Sequence, residues 1–469
     1  MPAAALLAAL LLAQADAGPA KVSVNGYLSE RVALQAGWSA SDPTAPGLAQ
    51  LAGLPLVTSL TEANAQLRIR LADGWDVFTD LSFFVGARSE AGGLMKVPSS
   101  HSNRAELSEF YLNLGFHEHL NGLVGRKRVV WGSGFAWNPA DLLNPPKDPT
   151  DPTLQRAGAW MARIEAPFQY FTLSALWAPK VVRTSAGLPS RFLFEPGGHE
   201  PEQILGARAY ALIKEADVNL MWFWSNRYAD TLPHSHRFAA SFSRYFFTDY
   251  EFHFEGVLQR GRDTPIVDPR CLPRGFSFQP LLDCQASGQP VVAKAGLSDP
   301  AAFYAQFIAG TRYSFKDESM LSAEYYFNGP GLDAKQWEDR QRLLGLAPTI
   351  WQGAQAQGIA LDPSALLGGG GGGSGDQGSP LRLDFRPLRR HYLFLVYQKP
   401  RIADDFTATV TTVVGLEDPS LLLAPSLSWS AREWLSLGLF AYLPLGASES
   451  EYGSLPFRFR ALLEVRAFY

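Results

Sequence analysis

Side chains able to do chemistry are few in this chain and stand apart. Its 8 histidines are scattered, and the two tight groups, His117-Glu118-His119 and His234-Ser235-His236, fall where turns or loop edges are expected. Both read as solvated polar turns rather than metal sites. Hydrolysis would need a nucleophile held beside a base, and no Gly-x-Ser-x-Gly, phosphate-loop or His-Glu-x-x-His pattern supplies one. Cys271 and Cys284, the 2 cysteines, have Pro and Gly between them. In an oxidising envelope such a pair reads as a loop-stapling disulfide rather than a metal or redox site. No metal and no cofactor is expected, and an enzyme is the least favoured class.

What remains is charge on alternating strands. In the last stretch Phe457, Phe459, Ala461, Leu463, Val465, Ala467 and Tyr469 alternate with Arg458, Arg460, Glu464 and Arg466, and successive side chains on a strand point to opposite faces. A soluble sandwich would turn the charged face to solvent. An outer-membrane barrel puts apolar residues against lipid and charges against a wet lumen. The ending, with Leu463, Val465, Phe468 and Tyr469, resembles the C-terminal recognition strand of bacterial outer-membrane barrels. That resemblance implies recognition by the barrel-assembly machinery and closure against the first strand.

The beginning agrees. Met1 to Leu12 is nearly all Ala and Leu, and Gln14-Ala15-Asp16-Ala17 offers small residues for a signal peptidase, so residues 1–17 read as a cleaved signal and 18–469 as one domain. The n-region carries no Lys or Arg. No later stretch approaches the roughly 18 apolar residues of a membrane helix, and a secreted chain without one spans lipid only as a closed barrel. Mean hydropathy is −0.06 and net charge −4, too small a charge for a nucleic-acid partner.

Punctuation sets the strand count. Val22 to Leu34 is a first strand, bulged at Gly26 where the alternation slips; Ala63–Leu71 and Val77–Val85 make a tight hairpin over Asp73-Gly74. Arg104–Leu114 pairs with Leu123–Trp131, Ala159–Ala166 with Tyr170–Trp177, and Ile204–Ile213 with Val218–Ser225. Phe238–Phe247 pairs with Tyr250–Gln259, Phe303–Phe315 with Met320–Asn328, Arg390–Lys399 with Phe406–Val414, and Leu421–Ser430 with Leu435–Leu443. With the closing strand this gives an all-β antiparallel transmembrane barrel of about 18 strands, short periplasmic turns and long extracellular loops. In the loop from Gly329 to Arg389, Ala334 to Leu344 suggests a short surface helix, and the Gly-rich run within 368–380 a flexible tether or plain loop expansion.

The stretch that concentrates function starts at Gly125-Arg126-Lys127-Arg128-Val129-Val130-Trp131-Gly132-Ser133-Gly134 and runs through Phe135-Ala136-Trp137-Asn138-Pro139-Ala140-Asp141 to Asn144-Pro145-Pro146. Here the chain resembles porin-like outer-membrane proteins, among them an uncharacterised family with a Gly-Arg…Trp-Gly strand and an Asn-Pro loop. The resemblance implies a channel for small solutes and names no substrate. From the residues themselves, Arg126 and Arg128 are expected in the lumen with Lys127 on the lipid side, Glu109 paired with one of the two arginines, and Arg163 on the same wet face. Asn138 and Pro139 suggest an N-cap and first helical turn. Phe135, Trp137 and Leu142 would draw the loop 132–157 inward, narrowing the pore; the alternative is a well-packed external loop. The constriction set is therefore Arg126, Arg128, Trp131, Trp137, Asn138, Asp141, Glu109 and Arg163. The expected function is passive diffusion through the outer membrane with weak anion preference. A plugged barrel acting as a surface or adhesion structure is the second reading, an outer-membrane hydrolase the third. Membrane lipid, the assembly machinery and small solutes are the partners; the oligomeric state stays open.

Overall fold

Strands whose apolar and polar residues alternate over eight or more positions cannot bury both faces, and a sheet closed on itself satisfies them in lipid with no free edge. That is what the chain builds. In a computed structural model, residues 21–38, 45–46, 49–50, 54–72, 74–90, 99–144, 147–150, 158–179, 182–183, 189–191, 203–228, 232–262, 264, 266–273, 279–287, 292–293, 302–356 and 387–469 are described. The expected signal segment 1–17, Pro145, Pro146, residues 151–157 and the Gly-rich run lie outside them.

One antiparallel sheet of 18 strands closes on itself. Its first half is β1 Lys21–Gly37, β2 Val57–Ala72, β3 Trp75–Arg88, β4 Ser100–His117, β5 Leu120–Lys127, β6 Ala159–Pro167, β7 Phe171–Pro179, β8 Gln203–Ile213 and β9 Ala216–Tyr228. Its second half is β10 Leu232–Phe246, β11 Tyr250–Arg260, β12 Phe303–Ser314, β13 Met320–Asn328, β14 His391–Ile402, β15 Phe406–Gly415, β16 Ser420–Arg432, β17 Leu435–Leu445 and β18 Phe457–Phe468. Each strand pairs with its chain neighbours, and β1 also pairs with β18, Tyr27 opposite Phe468. Both ends of the described chain meet at the short-turn end, where β1 starts opposite Arg70. Among the described residues no helix is long and apolar enough to cross a membrane.

The outside is greasy and the inside polar. Phe83, Val124, Leu220, Leu439 and Leu463 are at least 50% exposed, while Asn64, Asp80, His253 and Glu324 on the opposite parity are buried. Tyr469 lies over Gly26 on the outer face: their backbones exchange hydrogen bonds at 3.1 and 3.2 Å, and the phenol donates to the Asn64 carbonyl at 2.7 Å. A Cβ on Gly26 would stand 2.2 Å from that hydroxyl. The register of β1 against β2 runs through Gly26 without a shift, so the expected bulge is absent there and the glycine serves a ring instead. The irregularity falls at Ala36/Gly37, where β18 slips, and it turns Phe457 inward, 1% exposed, although alternation assigns it to lipid.

At the long-loop end two connections form a cap. Cys271 and Cys284 are bonded, S–S 2.05 Å, near α1 Gln279–Ala286 and a short ribbon of Ile266–Val267 with Val292–Ala293. Packed on these through Leu343 and Ile350 is α2, Ala334–Ala356. Asp333 and Gln336 cap it reciprocally, side chain to backbone at 2.9 and 3.1 Å. The helix continues well past Leu344, through Pro348.

Candidate pore constriction

β5 is only eight residues long and ends at Lys127, so strand alternation stops governing the chain just where the charged run begins. Gly125, at φ 134°, bends it, and a Cβ there would stand 2.2 Å from the Phe110 carbonyl. The consequence corrects the expected facing. Lys127 points into the barrel, its ammonium 4.1 Å from the Tyr111 ring centre. Arg126 is fully buried in the wall, donating to the carbonyls of Gly158 (2.9 Å) and Leu107. Of the two arginines only Arg128 reaches the lumen, its amide and guanidinium both on the Glu109 carboxylate at 2.8 and 3.3 Å. The run expected as strand to Trp131 is already loop from Arg128 onward.

From there the segment 128–144 lies against the inner wall. Val129, Trp131 and Ala140 pack with inward residues of β4 to β11, among them Tyr111, Leu123, Met161 and Phe223. Ala136 and Trp137 pack across the lumen with Ile308, Tyr326, Tyr392 and Phe394 of β12 to β14. Trp137 stacks on Tyr326, ring centres 4.9 Å apart.

Two glutamates hold its backbone. Glu255 of β11 accepts the amides of Ser133 (2.8 Å), Gly134 (3.2 Å) and Ala140 (2.6 Å). Glu324 of β13 accepts those of Phe135 and Ala136, the latter at 2.8 Å, and its other neighbour is the His253 ring nitrogen at 2.8 Å. Both carboxylates are wholly buried; charge-assisted bonds from peptide amides are what make such burial tolerable. The glycines allow the approach: a Cβ on Gly132 would stand 2.2 Å from Glu255 Oε2, and one on Gly134 1.9 Å from the Trp137 carbonyl. Lys147 closes the cradle by donating to the carbonyls of Gly134 (2.6 Å) and Phe135 (3.1 Å). Strand alternation along Tyr250–Arg260 and Met320–Asn328 sets Glu255 and Glu324 on the wet face without showing this role. A Gly-Ser-Gly run facing inward acidic positions is the signal that would have shown it.

The helix expected at Asn138 does not form. Asn138 and Pro139 start a turn, the Asp141 amide bonding the Asn138 carbonyl at 3.0 Å. The Leu142 amide, which a first helical turn would bond to the Asn138 carbonyl, goes to the Ala140 carbonyl at 3.1 Å, and the Asn144 amide goes to the Asp141 carboxylate at 3.2 Å. Asp141 caps Asn144, whose side chain donates to it at 2.7 Å and to the Val129 carbonyl at 2.6 Å. Arg163 is not at this level; it pairs with Glu165 at 3.8 Å nearer the short turns.

Exposure is uneven around the lumen. Arg68, Arg128, Arg163 and Arg466 keep 19 to 41% of their side chains exposed, on strands β2 and β6, just past β5 and on β18, each within 4.0 Å of an acid. Glu255 and Glu324 under the segment keep none, whereas Arg312 of β12, 5.3 Å from the Phe135 ring centre, keeps 26%. Water-accessible charge therefore lies toward the short turns on β2, β6 and β18, with Arg128 at the start of the segment and Arg312 beside Phe135.

No family model matches the chain, and no curated protein does. Among solved structures, Acinetobacter baumannii OccAB1 aligns over 97% of both chains with a TM-score of 0.50 and 7% identity. The outer-membrane protein OprD from Pseudomonas aeruginosa aligns over 97% of this chain and 96% of its own, TM-score 0.48, identity 10%. The outer-membrane protein opdK from Pseudomonas aeruginosa aligns over 96% and 99%, TM-score 0.48, identity 8%. At these identities what this chain has in common with OccAB1 is the barrel fold.

Proposed function

We propose that this chain is a porin-like outer-membrane channel for passive diffusion of small solutes, with its short turns in the periplasm and its long loops outside. The observation that carries this reading is the pairing of a built constriction with charge left open to water: segment 128–144 is fixed by Glu255 and Glu324, Arg128 stays partly exposed at its start, and Arg68, Arg163 and Arg466 stay partly exposed nearer the short turns. Because each of these arginines is near an acid, the wall narrows the pore without strongly choosing an ion. Lys127 and Arg208 add to the basic side, so the preference is weakly for anions or carboxylate-bearing solutes.

The test is conductance in planar bilayers. Ohmic steps are expected, larger after deletion of residues 135–144, with a reversal potential in a salt gradient that moves toward cations in Lys127→Glu/Arg128→Glu. A correctly folded sample that stays silent, before and after the deletion, overturns the channel reading. It would favour the plugged surface structure, which the apolar packing of the segment against both walls makes the second candidate. Entry through the assembly machinery and after signal cleavage belongs to the same proposal.

A further inference from the structure

The inward segment shares its core with the connection 446–456 between β17 and β18. Tyr452, and at the edge Leu455, pack in the cluster that holds Ala136 and Trp137. That connection is fastened by Glu451, 7% exposed. Tyr392, at the foot of β14, donates its hydroxyl to Glu451 Oε2 at 2.6 Å, and the Leu388 amide donates to Oε1 at 2.8 Å. The Glu451 amide in turn donates to Asp418 Oδ2 at 3.0 Å. Charged neighbours arrive from every element packed on it. Asp418 comes from the β15–β16 turn, and Arg389 bridges it at 3.6 Å and Glu417 at 3.2 Å. Arg340 comes from α2, and Asp148 of the inward segment faces Tyr452. Trp337 of α2 lies under Arg389 and donates to the Glu449 carbonyl at 3.0 Å. Four rim segments thus meet around residues 449–452, and the Glu451 carboxyl itself holds the stretch 388–392.

We infer that Glu451 is a proton-operated clasp coupling pH at the long-loop mouth to the seating of the inward segment, fastened at acid pH and loosened at alkaline pH. Burial pushes the Glu451 carboxyl from its ordinary 4.5 up to about 7; Asp418 pushes the same way, while Tyr392, Leu388 and Arg389 oppose it. The proton is therefore held more tightly in the fastened connection than in a released one. Stability from the clasp is complete below the ordinary value and is lost as pH rises through the raised one. Loosening 446–456 removes Tyr452 and Leu455 from the apolar bed of Trp137. The consequence for conduction rests on the channel reading; the clasp does not.

Amide hydrogen exchange of the full chain, refolded in detergent, tests it without needing conductance. After correction for intrinsic base catalysis, protection of residues 446–456 and 133–140 should fall by about tenfold or more between pH 6 and pH 8. Glu451→Gln, which cannot ionise, should keep both protected throughout, and Asp418→Asn, which removes a like charge beside the carboxyl, should move the midpoint to lower pH. Flat protection in the wild type, an unchanged pH profile in Glu451→Gln, or an unmoved midpoint in Asp418→Asn overturns the clasp. A pH-dependent exchange profile with silent bilayers supports the clasp and sinks the channel.

Discussion

Glu255 sits in the barrel wall with three peptide amides on its two oxygens and Lys147 beyond them. A carboxylate is acceptor-only, so Glu255→Gln turns a donor toward at least one of those amides and leaves it unpaired, at about 1–3 kcal/mol for each orphaned group. The expected outcome is faster amide exchange at 133–140 and larger single-channel steps in Glu255→Gln and in Gly132→Ala, whose Cβ has no room. Unchanged exchange in both would show that the segment is held elsewhere. Arg126 carries a different expectation. Arg126→Ala strips the Leu107 and Gly158 carbonyls of their donor, so it should lower the urea midpoint of the folded barrel and leave ion selectivity to Arg128. That split was not legible from residues. The rule that positions two apart share a face holds only inside a sheet, and the chain quits the sheet between these two arginines.

At the level of elements, strand positions were readable because lipid outside and water inside impose period two on every spanning segment, from Tyr250–Arg260 to Phe457–Phe468. Helices were less so. The signature Asn138-Pro139 is correct local chemistry for a first turn that goes no further, because the Leu142 amide bonds Ala140, the Asn144 amide bonds the Asp141 carboxylate, and Pro145 and Pro146 come next with no amide to donate. The long extent of α2 was hidden by Pro348, which reads as a stop. The short turns carry their own strain: Lys214 and Glu215 adopt φ of 48° and 65° between the paired residues Ile213 and Ala216. Two positive φ values in a two-residue hairpin loop favour Asn-Gly. Lys214→Asn/Glu215→Gly should therefore stabilise the barrel by about 1 kcal/mol or more, seen as slower unfolding in urea with no change in conductance.

For the whole molecule, closure depends on one seam. Deleting Phe468 and Tyr469, or making Tyr469→Asp, removes the ring that covers Gly26 and the bond to Asn64; membrane insertion should fail, read as loss of heat-modifiable migration on a gel. Gly26→Val should reproduce the defect from the other side of the seam, and normal migration of either variant would refute this account. The barrel is also lopsided. β4 has 18 residues, whereas its neighbours β5, β6 and β7 have 8, 9 and 9. At about 3.3 Å per residue and a tilt of about 40°, eight residues reach about 20 Å, less than the roughly 25 Å apolar band of such proteins. Lipid beside that flank must thin to meet it, and thinning costs less when two short flanks face each other. The surface around Ile164 and Leu173 is thus where hydrophobic mismatch with the bilayer should be greatest.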